Sequence, residues 1–565
     1  MKEVPNLGDE RKMFKRRAIT KIQSAVIVVV LIAIIVGGYL FYTSQQVPPL
    51  YISTGSTSTA SSKPATLVIA MDTSSIVSLD PAKAYEFEGV LIDNNVYDKL
   101  VDFKGNDYSM VYPELAESWS VANDGVTWTF NLKKGLSFPS GTPIDAAAVV
   151  YSLQRVVKLQ QPPSWVITQF GIKPESITAV NGYTVQIKLK AAYAKGLFLS
   201  CLAFPVASIV DPTVVKAHET GGDMGSAWLT DHSAGSGAFI LDKWERGTEI
   251  VLTANKDYWK GKAGVDSIDI KEIKESLDQR MLLEKGDIDV AWNLLSDQIV
   301  ALKGNKDIEI VSSPAFQVFY IGMNVEFKPF SDIRVRNAIR WAIDYNGIIN
   351  DILKGAAIGL QTIIPKGIAG YDPQTPFTQD IAKAKSLLAE AGYPNGFSVE
   401  LTTPATIAQI PTADIAAKVK NDLAKVGIDV KIQLITYAEL LTKYRAQSLQ
   451  MVIGRWGSDY ADPNSNAAAF AYCRTAGPND TAKQLTWRNK YANNVTSDLV
   501  EKAAKELDDT KRLDYYKQLT GIILNDGPFV ILYQLMIQRA VRTSVKGFTV
   551  SPLTLEDFSL ITKQT

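Results

Sequence analysis

A chain of 565 residues exceeds what one core fills, because single cores stop growing near about 250–300 residues, so two or more lobes are expected. Fifty-nine basic residues balance fifty-nine acidic ones, which removes any electrostatic basis for nucleic-acid binding. Two cysteines, Cys201 and Cys473, stand outside any CxxC and support neither a disulfide scaffold nor a zinc cage. Isolated cysteines are usually buried thiols, and pairing of these two stays open.

The N-terminus, residues 1–21, is basic, with Lys12, Lys15, Arg16, Arg17 and Lys21. Residues 22–42 follow without a charge, and a helix of that length at 1.5 Å per residue crosses a hydrocarbon core of about 30 Å. The flanking cations predict a single-pass transmembrane helix with the basic end in the cytoplasm and the remaining chain outside. Residues 43–65, rich in Ser, Thr and Pro, read as a stalk. The apolar run is longer than that of an ordinary secretory signal peptide. RRAITKIQSAVIVVV instead resembles the prepilin-like signals of archaeal surface binding proteins, which implies cleavage after Ala18 with the helix retained as an anchor. Asn479 and Asn494 begin glycosylation triplets.

Beyond the stalk, ATLVIAMD predicts a short strand and EFEGVLIDNNVYDKLV a helix carrying Val90, Leu91, Val96, Leu100 and Val101. GVTWTFNLKKG alternates Val126, Trp128, Phe130 and Leu132, the period of a half-buried strand. GTPIDAAAVVYSLQRVV then predicts a helix with Thr142 as its N-cap and Pro143 as its first residue. YTVQIKLK and TEIVLTAN read as strands. SDIRVRNAIRWAIDYNGII, DIAKAKSLLAEAG and ADIAAKVKNDLAKVG read as helices, alternating with the strands FSVELTT, IDVKIQLIT and LQMVIGRWG. Such alternation predicts an α/β sheet covered by helices.

Several blocks together resemble one family, the large periplasmic oligopeptide- and dipeptide-binding proteins of ABC importers, solute-binding family 5. They are PELAESWSVANDGVTWTFNLKKGLSFPSGTPIDAAAVVYSLQRV, GSGAFILDKWERGTEIVLTANKDYWKG, KGDIDV, FKPFSDIRVRNAIRWAID, AKSLLAEAGYPNGF and GRWGSDYADPNS, in the family's order. The resemblance covers roughly residues 66–560. It implies a two-lobed α/β fold of the periplasmic-binding-protein kind, type II and of the large cluster C class, here behind an N-terminal transmembrane helix. By that analogy residues 66–273 with 541–565 form lobe I, residues 274–540 form lobe II, and ligand is buried between them by hinge closure.

The loop GRWGSDYADP follows an apolar strand, where ligand crevices of α/β sheets open. The resemblance implies that Asp459 pairs with a ligand α-ammonium. Trp456 suits stacking on a peptide side chain or a sugar, Arg455 a ligand carboxylate, and Tyr460 lies in the same loop. Capping of the turn by Asp459 and Asp462, with Trp456 in the core, is the structural alternative. Gly235, Ser236 and Gly237 align with a family segment near the cleft; their small size permits close backbone approach to ligand or a plain turn. Arg334, Arg336 and Arg340 read as a salt-bridged helix face with Asp332 and Asp344.

Only two histidines, His218 and His232, occur, and no HExxH, GxSxG or GxxxxGK[ST] is present, so no catalytic residue, metal site or cofactor is assigned. The expected function is an extracytoplasmic receptor at the cell membrane that captures dipeptides or oligopeptides and delivers them to ABC permease subunits. An oligosaccharide receptor of the same family and a membrane-anchored surface hydrolase are the alternatives.

Overall fold

The computed structural model describes residues 65–407, 409–480 and 483–564, all within one compact unit. The expected anchor, residues 22–42, and the cleavage point after Ala18 lie outside the described residues. Among the described residues no helix is long and apolar enough to cross a membrane.

The frame is an 11-stranded mixed sheet. Its strands are β1 (Thr66–Met71), β2 (Phe239–Glu245), β3 (Glu249–Ala254), β4 (Ser267–Glu272), β5 (Val290–Ala291) and β6 (Ile308–Met323). The remaining ones are β7 (Ala357–Gly359), β8 (Ser398–Thr403), β9 (Asp429–Leu434), β10 (Met451–Gly457) and β11 (Phe529–Arg542). Across the sheet they run β9-β8-β10-β6-β11-β5-β1-β4-β3-β2, with β7 beside β11. β5 meets only the end of β11, at Ala540 and Val541, and β10 meets only the end of β6, from Gln317 to Met323. Two wings are thus joined through the long pair β6 and β11, whose register shifts between Pro314 and Val318.

Alternation along β6 explains why its second half is apolar except at Gln317. Phe316, Val318 and Tyr320 enter the core on one face of the sheet, and Ala315, Phe319, Ile321 and Met323 the core on the other. A strand buried on both faces has no solvated side for polar residues.

A separate four-stranded sheet holds Ala116–Val121, Thr127–Leu132, Thr184–Lys188 and Ile177–Asn181 in that spatial order. The helix after it differs at its start from the expectation. It spans Ala146–Leu159, and its N-cap is Asp145, which accepts from Ala148 N, while Pro143 bridges to Ser137. The first helix, α1 (Phe87–Val96), also stops short, and Val101 belongs to a strand, Val101–Lys104. Asp98 causes the break: its carboxylate accepts from Ser236, Tyr258 and Trp259, which anchors the chain in an extended exit. Helix α2 (Ile333–Ala342) carries the arginines read as a salt-bridged face. Arg334 pairs with Asp332 and Arg336 with Asp526, but Arg340 donates to the carbonyls of Asn525, Gly527 and Phe529, and Asp344 pairs instead with Lys418. Cys201 and Cys473 are both buried free thiols.

Candidate ligand-binding site

β10 pairs antiparallel with β6, placing Arg455 opposite Phe319, Trp456 opposite Val318 and Gly457 opposite Gln317. The chain then turns into helix α4, Pro463–Ala471; helix α3, Tyr437–Arg445, precedes β10. Asp462 is the N-cap of α4, accepting from Asn464 N at 2.9 Å and pairing with Arg512 at 2.6 Å. Ser458 N donates to Phe316 O and Asp459 N to Ser465 Oγ, so the turn is pinned from two sides.

Pinned in this way, the Asp459 side chain faces the residues before α1. Tyr85 Oη donates to Asp459 Oδ1 at 2.9 Å and accepts from Trp165 Nε1 at 3.0 Å. The second oxygen, Asp459 Oδ2, is shielded from solvent without a hydrogen-bond partner among the described residues, and so is Trp456 Nε1. The unmet acceptor and the unmet donor therefore belong to two residues that border one cavity. Burial pushes the Asp459 carboxyl up to about 7, although the hydrogen bond from Tyr85 acts in the opposite direction. Burial, and then Asp459 itself, hold the Tyr85 phenol well above its ordinary range, which keeps it a proton donor.

The cavity measures about 430 Å³ and is bordered by Tyr85, Phe87, Trp165, Trp456 and Asp459, with Arg445, Arg455, Lys483 and Arg488. It adjoins a second of about 590 Å³, the two sharing Tyr85, Phe87, Tyr437, Leu441, Arg445 and Arg455. Aromatic walls with a few convergent polar groups are the usual make-up of a small-molecule site.

The family model for bacterial extracellular solute-binding proteins, family 5 Middle, matches residues 110–478. The chain belongs to this family. Family 5 proteins are extracytoplasmic binding receptors rather than enzymes. Among family 5 relatives, the probable D,D-dipeptide-binding periplasmic protein of Escherichia coli (strain K12) is 32% identical over 86% of this chain and 92% of its own length. The dipeptide-binding protein of the same organism is 30% identical over 81% and 87%. Among solved structures, the ABC transporter-associated periplasmic binding protein DppA from Helicobacter pylori, in complex with peptide STSA, superposes with a TM-score of 0.76. It is 27% identical and covers 88% of this chain and 98% of its own. The family 5 chain accordingly has the two-lobed, mixed α/β architecture of periplasmic binding proteins.

Within this family 5 protein, Asp459, Trp456 and Arg455 border the cavity together. Tyr460 does not: it is buried behind them, donating to Asn464 Oδ1 and packing against Trp165. Gly235, Ser236 and Gly237 lie elsewhere, against the end of α1. A Cβ on Gly235 would stand 2.0 Å from Val96 O, and one on Gly237 would stand 2.6 Å from Val96 C. Ser236 Oγ donates to Asp98. Tyr85, Trp165, Arg445 and Arg488 are the residues that sequence reasoning missed. They come from four distant segments with no shared motif.

Proposed function

We propose that this family 5 chain is the receptor of an ABC importer, capturing short peptides in the cavity around Asp459 and presenting them to membrane permease subunits. The carrying observation is the Asp459 carboxylate, pinned by its turn at an aromatic-walled cavity, with Oδ2 lacking a partner among the described residues. A peptide α-ammonium meets that acceptor, and Trp456 Nε1 donates to a peptide carbonyl. The names of the relatives, which include dipeptide-binding proteins, support this choice of ligand over an oligosaccharide. The lobes close about β6 and β11.

Calorimetric titration of the purified full-length chain with Ala-Ala tests the reading. The wild type binds, and Asp459→Asn weakens binding by about 100-fold, because a neutral amide no longer matches the ammonium. Equal affinity in the variant would reject the ammonium role of Asp459.

The receptor is held at the membrane by residues 22–42, on the strength of their length and the basic residues before them. After an alkaline wash of membranes the full-length chain stays in the pellet. Its release by the wash would reject the tether.

A further inference from the structure

The cavity around Asp459 is electrically lopsided. Four cations border it, Arg445, Arg455, Lys483 and Arg488, against Asp459 as the carboxylate. Among the described residues their hydrogen-bond and ring contacts are with neutral groups. Arg455 donates to Gln317 Oε1 at 3.0 Å and lies 5.0 Å from the Phe87 ring centre. Arg488 donates to the carbonyl of Lys483 at 3.3 Å and faces the Tyr444 ring at 5.5 Å. Lys483 sits 5.3 Å from the Trp487 ring, and Arg445, the last residue of α3, is exposed.

Arg340 and Arg539 are met by backbone carbonyls, whereas three other arginines with buried guanidinium groups take a carboxylate: Arg155 takes Asp80, Arg336 takes Asp526, and Arg512 takes Asp462. The cavity cations form no such pair among the described residues. The acidic side chains Asp72, Glu86 and Glu88 border the adjoining cavity, together with Arg539 and the shared Arg445 and Arg455, whereas Lys483 and Arg488 border only the cavity around Asp459. Positive potential is therefore concentrated at the end that holds Asp459.

A neutral dipeptide places one ammonium on Asp459 and supplies one carboxylate. Closure around it would desolvate the remaining cations without partners, which is costly in a low-dielectric cleft. We propose that the site selects acidic peptides, ligands with one ammonium group and at least two carboxylates, the added carboxylate being taken by Arg445, Arg455 and Arg488. The proposal rests on the assignment of the ammonium to Asp459.

Titration of the full-length chain with Ala-Ala, Ala-Glu, Glu-Ala and Ala-Lys decides it. The tighter of the two acidic dipeptides binds about tenfold or more better than Ala-Ala at low salt, an advantage that shrinks at high salt, and Ala-Lys binds most weakly. Arg445→Gln and Arg488→Gln each move the acidic-to-neutral affinity ratio toward one, whereas Arg488→Lys retains part of it; a melting scan of each variant separates this from unfolding. Affinities for acidic and neutral dipeptides within about threefold of each other would overturn the proposal and leave peptide capture standing. Failure of all four to bind would remove peptide capture itself, and the proposal with it.

Discussion

Tyr85 and Asp459, 374 positions apart in the chain, share a hydrogen bond of 2.9 Å that ties the segment before α1 to the loop after β10. The phenol occupies Oδ1 and leaves Oδ2 without a partner among the described residues, so it orients the carboxylate as well as stabilising its charge. Tyr85→Phe keeps the ring and deletes the donor. Hydrogen bonds to charged groups contribute roughly 1.5–3 kcal/mol, so Ala-Ala affinity at pH 8 is expected to fall by about tenfold or more. Isothermal titration reads the loss, and unchanged affinity would show that Tyr85 only fills space.

The same carboxyl makes binding depend on pH. In the free protein burial holds Asp459 near about 7, and only its ionised form attracts an ammonium. Ala-Ala affinity is therefore greatest between about pH 7 and pH 8, above which the peptide loses its own ammonium proton, and it declines as pH falls through about 7, approaching about tenfold per unit further down. At pH 6 binding must expel a proton, visible as a buffer-dependent heat. The effect on folding runs the opposite way. A carboxyl raised in the folded state keeps its proton where the unfolded chain has lost it, so the contribution of Asp459 to ligand-free stability falls as pH rises from about 4 through about 7. Asp459→Asn flattens that decline while weakening Ala-Ala binding, and a pH series of melting curves on the wild type and this variant checks both signs.

How much of this was legible depends on the range of the interactions concerned. The apolar runs and alternation of LQMVIGRWG and GVTWTFNLKKG are local and reappear as β10 and the strand Thr127–Leu132. Helix starts were less legible. Thr142-Pro143 and Asp145 are both plausible beginnings three residues apart, and the bridge from Pro143 to Ser137 selects the second. Leu100 and Val101 continue the helical spacing of α1, yet the buried contacts of Asp98 override that spacing. The loop carrying Arg455, Trp456 and Asp459 is one short motif and was readable with the resemblance. Tyr85, Arg445 and Arg488 were not, because each is an ordinary residue in its own segment and comes to the cavity wall only when the fold assembles them.

Gly235 offers a separation of packing from recognition. Its Cα lies so near the end of α1 that a methyl group would overlap Val96 O, a backbone atom that cannot rotate away. Gly235→Ala is expected to destabilise the fold by about 1–3 kcal/mol or more, as overpacking usually does. Denaturant unfolding measures that cost. Among molecules that remain folded, Ala-Ala affinity is expected to stay near the wild-type value; a fully stable variant with weakened binding would return this segment to the ligand site.

The buried pair of Arg155 and Asp80 carries the last expectation. Arg155 sits in the helix Ala146–Leu159 and grips both oxygens of Asp80, at 2.7 and 2.6 Å, while its Nε donates to Met224 O. Ser226 Oγ also donates to Asp80, so one carboxylate gathers three segments. Arg155→Ala removes the countercharge and leaves Asp80 fully buried among neutral groups, a loss of about 3–5 kcal/mol. Replacing both partners, Arg155→Ala with Asp80→Asn, removes the stranded charge and should recover part of that loss. A double-mutant cycle by denaturant unfolding tests this: if the double variant is no more stable than Arg155→Ala, the damage comes from lost packing and the bond to Met224 rather than from an uncompensated carboxylate.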